Sequence, residues 1–168
     1  MYLTGGEFKG YKIDVPRSAR PTLSKVRESI FNMLDNLSHG ANFLDMFAGS
    51  AVMGLEALSR GYRVVELEID KKAASVIKKN YEKIGKKADI IICDALKYNG
   101  RKFDIIYIDP PYKIDYKPVI NKAIELLDDY GLIIVEHDNL IDFSEFNLEH
   151  IKSKKYGRCL IDILRKIS

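Results

Sequence analysis

Cysteine is scarce in this sequence, because Cys93 and Cys159 are the only two among its 168 residues. Two isolated thiols provide neither a disulfide framework nor the paired spacing of a zinc site, and they fit a reducing compartment. The three histidines, His39, His137 and His150, are also scattered and lack metal-ligand spacing. We therefore expect no bound metal.

Long apolar runs are missing as well. The longest, at 90–93 and 132–135, are far shorter than the roughly 20 residues that a membrane-spanning helix needs. The first residues lack the charged-then-apolar pattern of an export signal. We therefore expect a soluble, cytoplasmic protein with no membrane partner. We also expect a monomer, although no feature of the sequence decides the oligomeric state.

Charge is distributed unevenly, although the net charge is only +3. Residues 1–27 carry six basic side chains and two acidic ones, whereas residues 104–150 carry eleven acids and three lysines. A basic leading segment beside an acidic half indicates that one face of the protein meets a polyanion. We assign this nucleic-acid contact to Lys9, Lys12, Arg17, Arg20 and Arg27.

Short β-branched runs alternate with amphipathic stretches from Phe43 onwards, which predicts a doubly wound α/β fold with a mostly parallel sheet. The predicted strands are 41–46, 63–68, 88–93, 103–108 and 131–136, and the predicted helices are 52–60, 71–83 and 116–128. After Glu136, two further strands at 146–152 and 159–164, joined by a Lys-Lys-Tyr-Gly turn, predict an antiparallel hairpin at the sheet edge.

The leading segment has its own pattern. Glycines at positions 5, 6 and 10 indicate a short hairpin that ends near Pro16. Thr22 is then expected to cap a helix, whose apolar face consists of Val26, Ile30, Leu34 and Leu37. A chain of this length forms one core, so we expect a single domain in which this hairpin and helix are an N-terminal extension.

The first long strand leads into the loop Asp45-Met46-Phe47-Ala48-Gly49-Ser50-Ala51. In doubly wound sheets, ligands bind beyond the carboxyl ends of the strands, where this loop lies. Glu68 closes the second strand nineteen residues after Gly49, a spacing at which an acid reaches ribose hydroxyls. The pair predicts a cofactor that contains adenosine.

Charge distinguishes the candidate cofactors. Ala51 replaces the glycine that lets a backbone approach a pyrophosphate, and Asp45 would repel phosphates but attract an ammonium group. S-Adenosyl-L-methionine has an ammonium group and no phosphate, so the loop favours it over NAD. We place around it Asp45, Phe47, Gly49, Glu68 and Asp94. The last of these follows the third strand and could accept from the adenine amine, or could simply cap a turn.

The fourth long strand ends in Asp109-Pro110-Pro111-Tyr112. Two prolines stiffen the backbone, so that an acid, a carbonyl and an aromatic ring keep a fixed relation. Asp109 and the Pro110 carbonyl can accept the two hydrogens of an exocyclic amine and direct its lone pair, while Tyr112 stacks on the base. We predict methyl transfer to a base amine; the alternative is an ordinary strand stop.

The chain resembles the RsmD-type guanine-N2 methyltransferases of bacterial small-subunit ribosomal RNA. The matching core segments are Asp45-Met46-Phe47-Ala48-Gly49-Ser50, Gly54-Leu55-Glu56-Ala57-Leu58-Ser59-Arg60-Gly61, Glu68-Ile69-Asp70 and Asp109-Pro110-Pro111-Tyr112. The leading segment is similar in Gly6-x-x-x-Gly10-x-x-Ile13, in Arg20-Pro21-Thr22, and in the following Val26-Arg27-Glu28 and Phe31-Asn32. Two departures are Ala51, where the family usually has glycine, and the weakly basic start Tyr2-Leu3-Thr4.

The resemblance implies a seven-stranded, Rossmann-like class I methyltransferase fold with residues 1–38 as an RNA-contact extension and 39–168 as the cofactor-binding catalytic core. It also implies a substrate of 16S ribosomal RNA in the small subunit or an assembly intermediate, modified at a guanine N2. The Asp-Pro-Pro-Tyr set is shared with adenine-N6 enzymes, so adenine-N6 methylation of RNA or DNA stays open. A non-catalytic RNA-binding subunit with the same fold is the alternative of another class.

Overall fold

The predicted alternation of strands and helices is present in the structure, a computed structural model that describes residues 1–37, 42–111 and 113–167. The helices are α1 (Ser24–Leu37), α2 (Val52–Ser59), α3 (Lys71–Lys83) and α4 (Tyr116–Leu126). The strands are β1 (Asn42–Asp45), β2 (Arg63–Glu68), β3 (Ile90–Ile92), β4 (Phe103–Ile108), β5 (Leu127–His137), β6 (Leu148–Tyr156) and β7 (Cys159–Lys166). Within these ranges, no helix has the length and apolar character needed to cross a membrane.

The seven strands form one sheet in the order β3-β2-β1-β4-β5-β7-β6. Strands β1 to β5 are parallel, and β7 lies antiparallel between β5 and β6. The chain moves outward from β1 to β3 and then crosses to β4 on the other side of β1. Ligands of doubly wound folds bind at such a reversal. Asp45, which ends β1, and Asp109, which follows β4, therefore flank the expected crevice.

Apolar layers cover both faces of the sheet. Alternate residues of a strand point to opposite faces. Phe43 and Ile105 accordingly pack in the layer that contains α1, α2 and α3, whereas Leu44 and Ile106 pack in the layer with α4. Because both faces are buried, the central strands need the nearly continuous apolar runs that made them recognisable in the sequence.

The predicted C-terminal hairpin is confirmed, but its turn was placed too early. Strand β6 continues to Tyr156, which pairs with Cys159, so the turn consists of Gly157 and Arg158 alone. Gly157 has a φ of 62°, a left-handed conformation that glycine adopts without steric cost. Helix α4 likewise ends earlier than predicted, because Leu127 already pairs with Phe103 on β4.

A buried carboxylate connects the hairpin to β5. Asp162 on β7 lies 2.5 Å from Nε2 of His137 and 2.6 Å from Nε2 of His150, which are on the flanking strands β5 and β6. In the sequence these two histidines are thirteen positions apart, so they did not look like a pair. The sheet order brings them to one acid, and this cluster holds the edge hairpin in register.

The leading segment packs onto the core. Tyr2 and Lys12 form an isolated antiparallel bridge, and Leu3, Phe8 and Ile13 are buried in the same layer as α1, α2 and α3. Backbone contacts continue to α2, where the Glu7 amide donates to the Ser59 carbonyl at 2.7 Å. Residues 1–23, which precede α1 and are called the strap below, are therefore docked on the core and do not form a free arm.

Thr22 does not cap α1 as predicted. Helix α1 begins at Ser24, and the amide of Val26 donates to the Leu23 carbonyl at 3.1 Å. The Thr22 hydroxyl instead donates to Oε2 of Glu136 at 3.0 Å, a partner 114 residues away. Local spacing could not predict this bond, because Glu136 is brought to Thr22 only by the folded sheet.

Candidate functional site

Four of the predicted site residues lie at the carboxyl ends of the parallel strands. Asp45 ends β1, Glu68 ends β2, Asp94 follows β3 and Asp109 follows β4. Parallel strands present their carboxyl ends at the same edge of the sheet. The four acids therefore lie at one edge of the sheet, where the sequence predicts that the cofactor and the target base meet.

The loop after β1 is held by backbone conformation and by Glu68. Gly49 and Ala51 have φ values of 55° and 57°. Glu68 accepts from the Gly49 amide at 2.7 Å through Oε2 and from the Asp70 amide at 3.0 Å through Oε1. A carboxylate has about four acceptor positions, so Glu68 can still accept from ribose hydroxyls. Glu68 thus joins the loop to β2 and remains available to a ligand.

The surroundings of Ala51 show how the fold tolerates alanine where the family usually has glycine. It is fully buried and left-handed, a conformation in which a β-carbon costs roughly 1–2 kcal/mol. Glycine would avoid this cost. The methyl group is accommodated inside the core, so the substitution strains the loop without closing the crevice.

Asp45 carries the strongest indication of a cationic ligand. Its side chain is only 1% exposed, and its buried Oδ1 has no hydrogen-bond partner. Burial raises the pKa of Asp45 to about 7, and the nearby Glu68 charge adds to the increase. Hydrogen bonds from Glu66 and from the backbone of Gly54 and Phe47 partly oppose this increase, so the carboxylate is held by the protein although Oδ1 has no partner within hydrogen-bond geometry. A negative charge at the end of β1 attracts the ammonium group of S-adenosyl-L-methionine and repels a pyrophosphate.

Glu66 is a second buried acid that the sequence analysis did not assign. It lies opposite Asp45 in the β1–β2 register and accepts from the Tyr81 hydroxyl at 2.6 Å. Burial and the Asp45 charge raise the pKa of Glu66 well above its ordinary value. A β-carbon on Gly54 would collide with this carboxylate, so Gly54 is needed for close packing of α2. The available signal was a glutamate inside the apolar run of β2.

The other two cofactor candidates have more ordinary surroundings. Oδ1 of Asp94 accepts from the Leu96 amide at 3.0 Å and caps the short 3-10 turn Ala95–Lys97. The turn-cap role left open by the sequence is therefore present, and the second carboxylate oxygen can still serve a ligand. Phe47 is half-buried at the crevice and packs against the layer that contains α4.

Asp109 lies in a strongly negative environment. Burial raises its pKa to about 8, and the charges of Glu136 and Asp45 add to the increase, while Arg20 opposes it. Pro110 is buried behind it, which keeps the backbone in place. Asp45, at the end of β1, therefore acts electrostatically on Asp109, which follows the neighbouring strand β4. Tyr112 lies outside the described residues.

Glu136, the functional candidate that the sequence analysis missed, lies beside Asp109. Ile108 pairs with Val135, so the next positions along β4 and β5 are Asp109 and Glu136. The carboxylate accepts from the hydroxyls of Tyr107 and Thr22, and from the Cys159 thiol at 3.4 Å. The three donors come from distant parts of the chain, so local spacing carried no signal for this role.

The predicted RNA contacts divide into two groups. Lys9, Lys12, Arg17 and Arg20 are exposed. Arg27 is 1% exposed, and its guanidinium lies 3.4 Å from Glu56 while donating to the Tyr2 carbonyl at 3.2 Å. The assignment of Arg27 to the RNA surface was therefore wrong. It fastens the strap to the core, because the buried Glu56 requires a cationic partner.

Comparisons with known proteins identify the family. The family model described as Conserved hypothetical protein 95 matches residues 1–165. Ribosomal RNA small subunit methyltransferase D of Buchnera aphidicola is 37% identical over 138 residues, 76% of this chain and 70% of that protein. Bacillus subtilis YlbH is 34% identical over 185 residues, 99% of both chains.

A solved structure supports the same assignment. The Escherichia coli protein yhhF superposes with a TM-score of 0.84 at 28% identity, covering 99% of this chain and 97% of that one. The sheet order and this likeness confirm the Rossmann-like class I methyltransferase fold. The chain belongs to the Conserved hypothetical protein 95 family, which is the RsmD-type family indicated by its motifs.

Proposed function

We propose that this protein transfers the methyl group of S-adenosyl-L-methionine to the N2 amine of a guanine in 16S ribosomal RNA of the small subunit. Relatives named Ribosomal RNA small subunit methyltransferase D support the substrate class. The cofactor is supported by the acid Asp45 at the end of β1, whose charge suits an ammonium group and repels a pyrophosphate. When bound, S-adenosyl-L-methionine supplies an electrophilic methyl group on a sulfonium.

The adjacent carboxylates of Asp109 and Glu136 carry the proposal for guanine. Guanine presents two neighbouring kinds of donor on its pairing edge, the N1 hydrogen and the N2 amine. Adenine presents an acceptor, N1, beside its amine. Two carboxylates at neighbouring strand ends match guanine, whereas one of them would face a lone pair of adenine. Three donors already bind Glu136, so about one acceptor position remains for the N1 hydrogen.

The chain's own residues then prepare the amine. Asp109 accepts one amine hydrogen and the carbonyl of Pro110 accepts the other, which directs the nitrogen lone pair out of the ring plane. As the N2–methyl bond forms and the sulfur–methyl bond breaks, the nitrogen acquires positive character. The Asp109 carboxylate stabilises this charge and can take the released proton.

The test is methylation of small subunits from cells that lack the modification. The protein is incubated with these subunits and labelled S-adenosyl-L-methionine, and the RNA is digested to nucleosides for mass spectrometry. We expect labelled 2-methylguanosine, formed far more slowly by the Asp109→Asn variant. Labelled 6-methyladenosine would support the adenine alternative. RNA binding without any label would support the non-catalytic alternative.

A further inference from the structure

A polar groove separates α1 from the edge strand β6. Its volume is about 370 Å³, and the described residues that line it belong to these two elements. Those used below are Lys25, Glu28, Asn32, Asn36, Lys152 and Lys154. The groove is separate from the exposed basic residues of the strap, so it is a second surface that the charge pattern of the leading segment did not reveal.

The groove is basic because the regular spacing of residues on each wall, α1 and β6, brings lysines to the side that faces the groove. Positions three, four and seven apart share a helix face, which places Lys25, Asn32 and Asn36 on one side of α1. Alternate positions share a strand face, which places Lys152 and Lys154 together on β6. Three lysines therefore face a single acid, Glu28. The asparagine amides add neutral donors, so the groove suits a chain of phosphates.

One end of the groove lies at the catalytic edge of the sheet. Helix α1 begins two residues after Thr22, whose hydroxyl donates to Glu136. On the other wall, Tyr156 ends β6 and pairs with Cys159, whose thiol also donates to Glu136. The Lys25 ammonium lies 5.9 Å above the ring of Tyr156 and closes this end. The groove thus leads away from the site of the target base.

We propose that this groove binds the phosphodiester backbone of the RNA strand next to the target nucleotide. The proposal rests on the RNA substrate proposed above, but it concerns binding and not methyl transfer. Lysines on an edge strand can also serve to prevent edge-to-edge association. That role does not account for Lys25 and two asparagines facing them across the groove.

The test compares two double variants in binding to undermodified small subunits and to single-stranded RNA of mixed sequence. Lys152→Gln/Lys154→Gln removes charge from the groove, and the control Lys78→Gln/Lys79→Gln removes the same charge from the exposed face of α3. If each groove lysine contacts one phosphate, the log–log salt slope of binding to the single strand falls by about 1.4 in magnitude. We expect the control to keep the wild-type slope on both targets.

Three results would overturn the proposal. The first is an equal slope for the groove variant and the control on the small subunits. The second is an unchanged slope together with new dimer formation by the groove variant, which would assign its lysines to edge protection. The third is a photocrosslink from a photoreactive amino acid placed at Asn32 that joins ribosomal protein but no 16S RNA. Because binding is read without activity, failure of wild-type methylation would count against the proposed function separately.

Discussion

At the scale of single residues, the ionisation of Asp109 should control the reaction. Asp109 stabilises positive charge on the attacked nitrogen and can take the released proton only when it is ionised, and its pKa is raised to about 8 in the free protein. We expect kcat/KM, at low cofactor concentration, to rise about tenfold per pH unit below pH 8 and to level off above it. Saturating cofactor should move the midpoint lower, because the sulfonium charge favours the carboxylate.

The Glu136→Gln variant tests the partner of Asp109. Removing the Glu136 charge removes a cause of the raised Asp109 pKa, so the midpoint of the pH profile should move to lower pH. Loss of a charged acceptor should also cost about 1.5–3 kcal/mol in kcat/KM for the guanine substrate. Glu145→Gln changes the same charge at an exposed position and should alter neither quantity. An unchanged midpoint would contradict the pairing of these acids.

The Asp109→Asn variant tests whether Asp109 takes part in catalysis or only ends strand β4. It keeps an acceptor oxygen but removes the charge that stabilises the attacked nitrogen, so the rate should fall on the order of 10²–10³-fold. Single-turnover methylation at saturating cofactor measures this step without product release. Cofactor affinity should remain near the wild-type value. A wild-type rate in a folded variant would show that the acid only ends the strand.

Cofactor binding should release a proton, because Asp45 has a pKa of about 7 before binding and must be ionised to pair with an ammonium group. The affinity for S-adenosyl-L-methionine should therefore increase from pH 6 to pH 8, and the proton release should disappear above that range. Calorimetry in buffers of different ionisation enthalpy measures the release. Asp45→Asn should abolish it and weaken binding roughly tenfold to a hundredfold. Release that persists in this variant would point to Glu66 instead.

At the scale of elements, α1 and α2 are joined to the strap through one buried acid. Arg27, Arg60 and the Thr4 amide all contact the carboxylate of Glu56. Arg27→Ala should lower the free energy of unfolding by about 3–5 kcal/mol, because it removes one partner of a buried pair. Arg17→Ala, at an exposed position of the strap, should change it by less than about 0.5 kcal/mol. Denaturant titration measures both, and equal values would show that Arg27 is not a structural fastener.

At the scale of the whole molecule, the strap presents basic side chains outside the cofactor crevice. Neutralising Lys9, Lys12 and Arg17 together should weaken binding to the small subunit and flatten its salt dependence. The expected change is about 0.9 in log–log slope for each lost phosphate contact on a duplex and about 0.7 on a single strand. Cofactor affinity should stay the same. Normal methylation by this variant at moderate salt would mean that the strap residues are merely solvated.

The parts of the fold that the sequence predicted well share a physical reason. Strands buried on both faces need apolar runs, and helices on a sheet need an apolar stripe, so β4 and α3 were recognisable locally. The acids at the ends of β1, β2 and β4 were recognisable because motif spacing follows from the strand–helix unit. Boundaries were less accurate. Strand β6 runs on through two lysines and a tyrosine because it is paired with β7, a contact that no local pattern encodes.

By itself, then, the sequence determined the α/β class and predicted a candidate site at Asp45 and Asp109, because each depends on residues close together in the chain. Only the tertiary structure decided that Arg27 is buried, that Glu66 faces Asp45, and that Glu136 stands beside Asp109. Each of these depends on partners from different strands or from the strap. A charged side chain has the same appearance in a sequence whether it meets water, RNA or a buried counter-ion, and the sheet order selects among them.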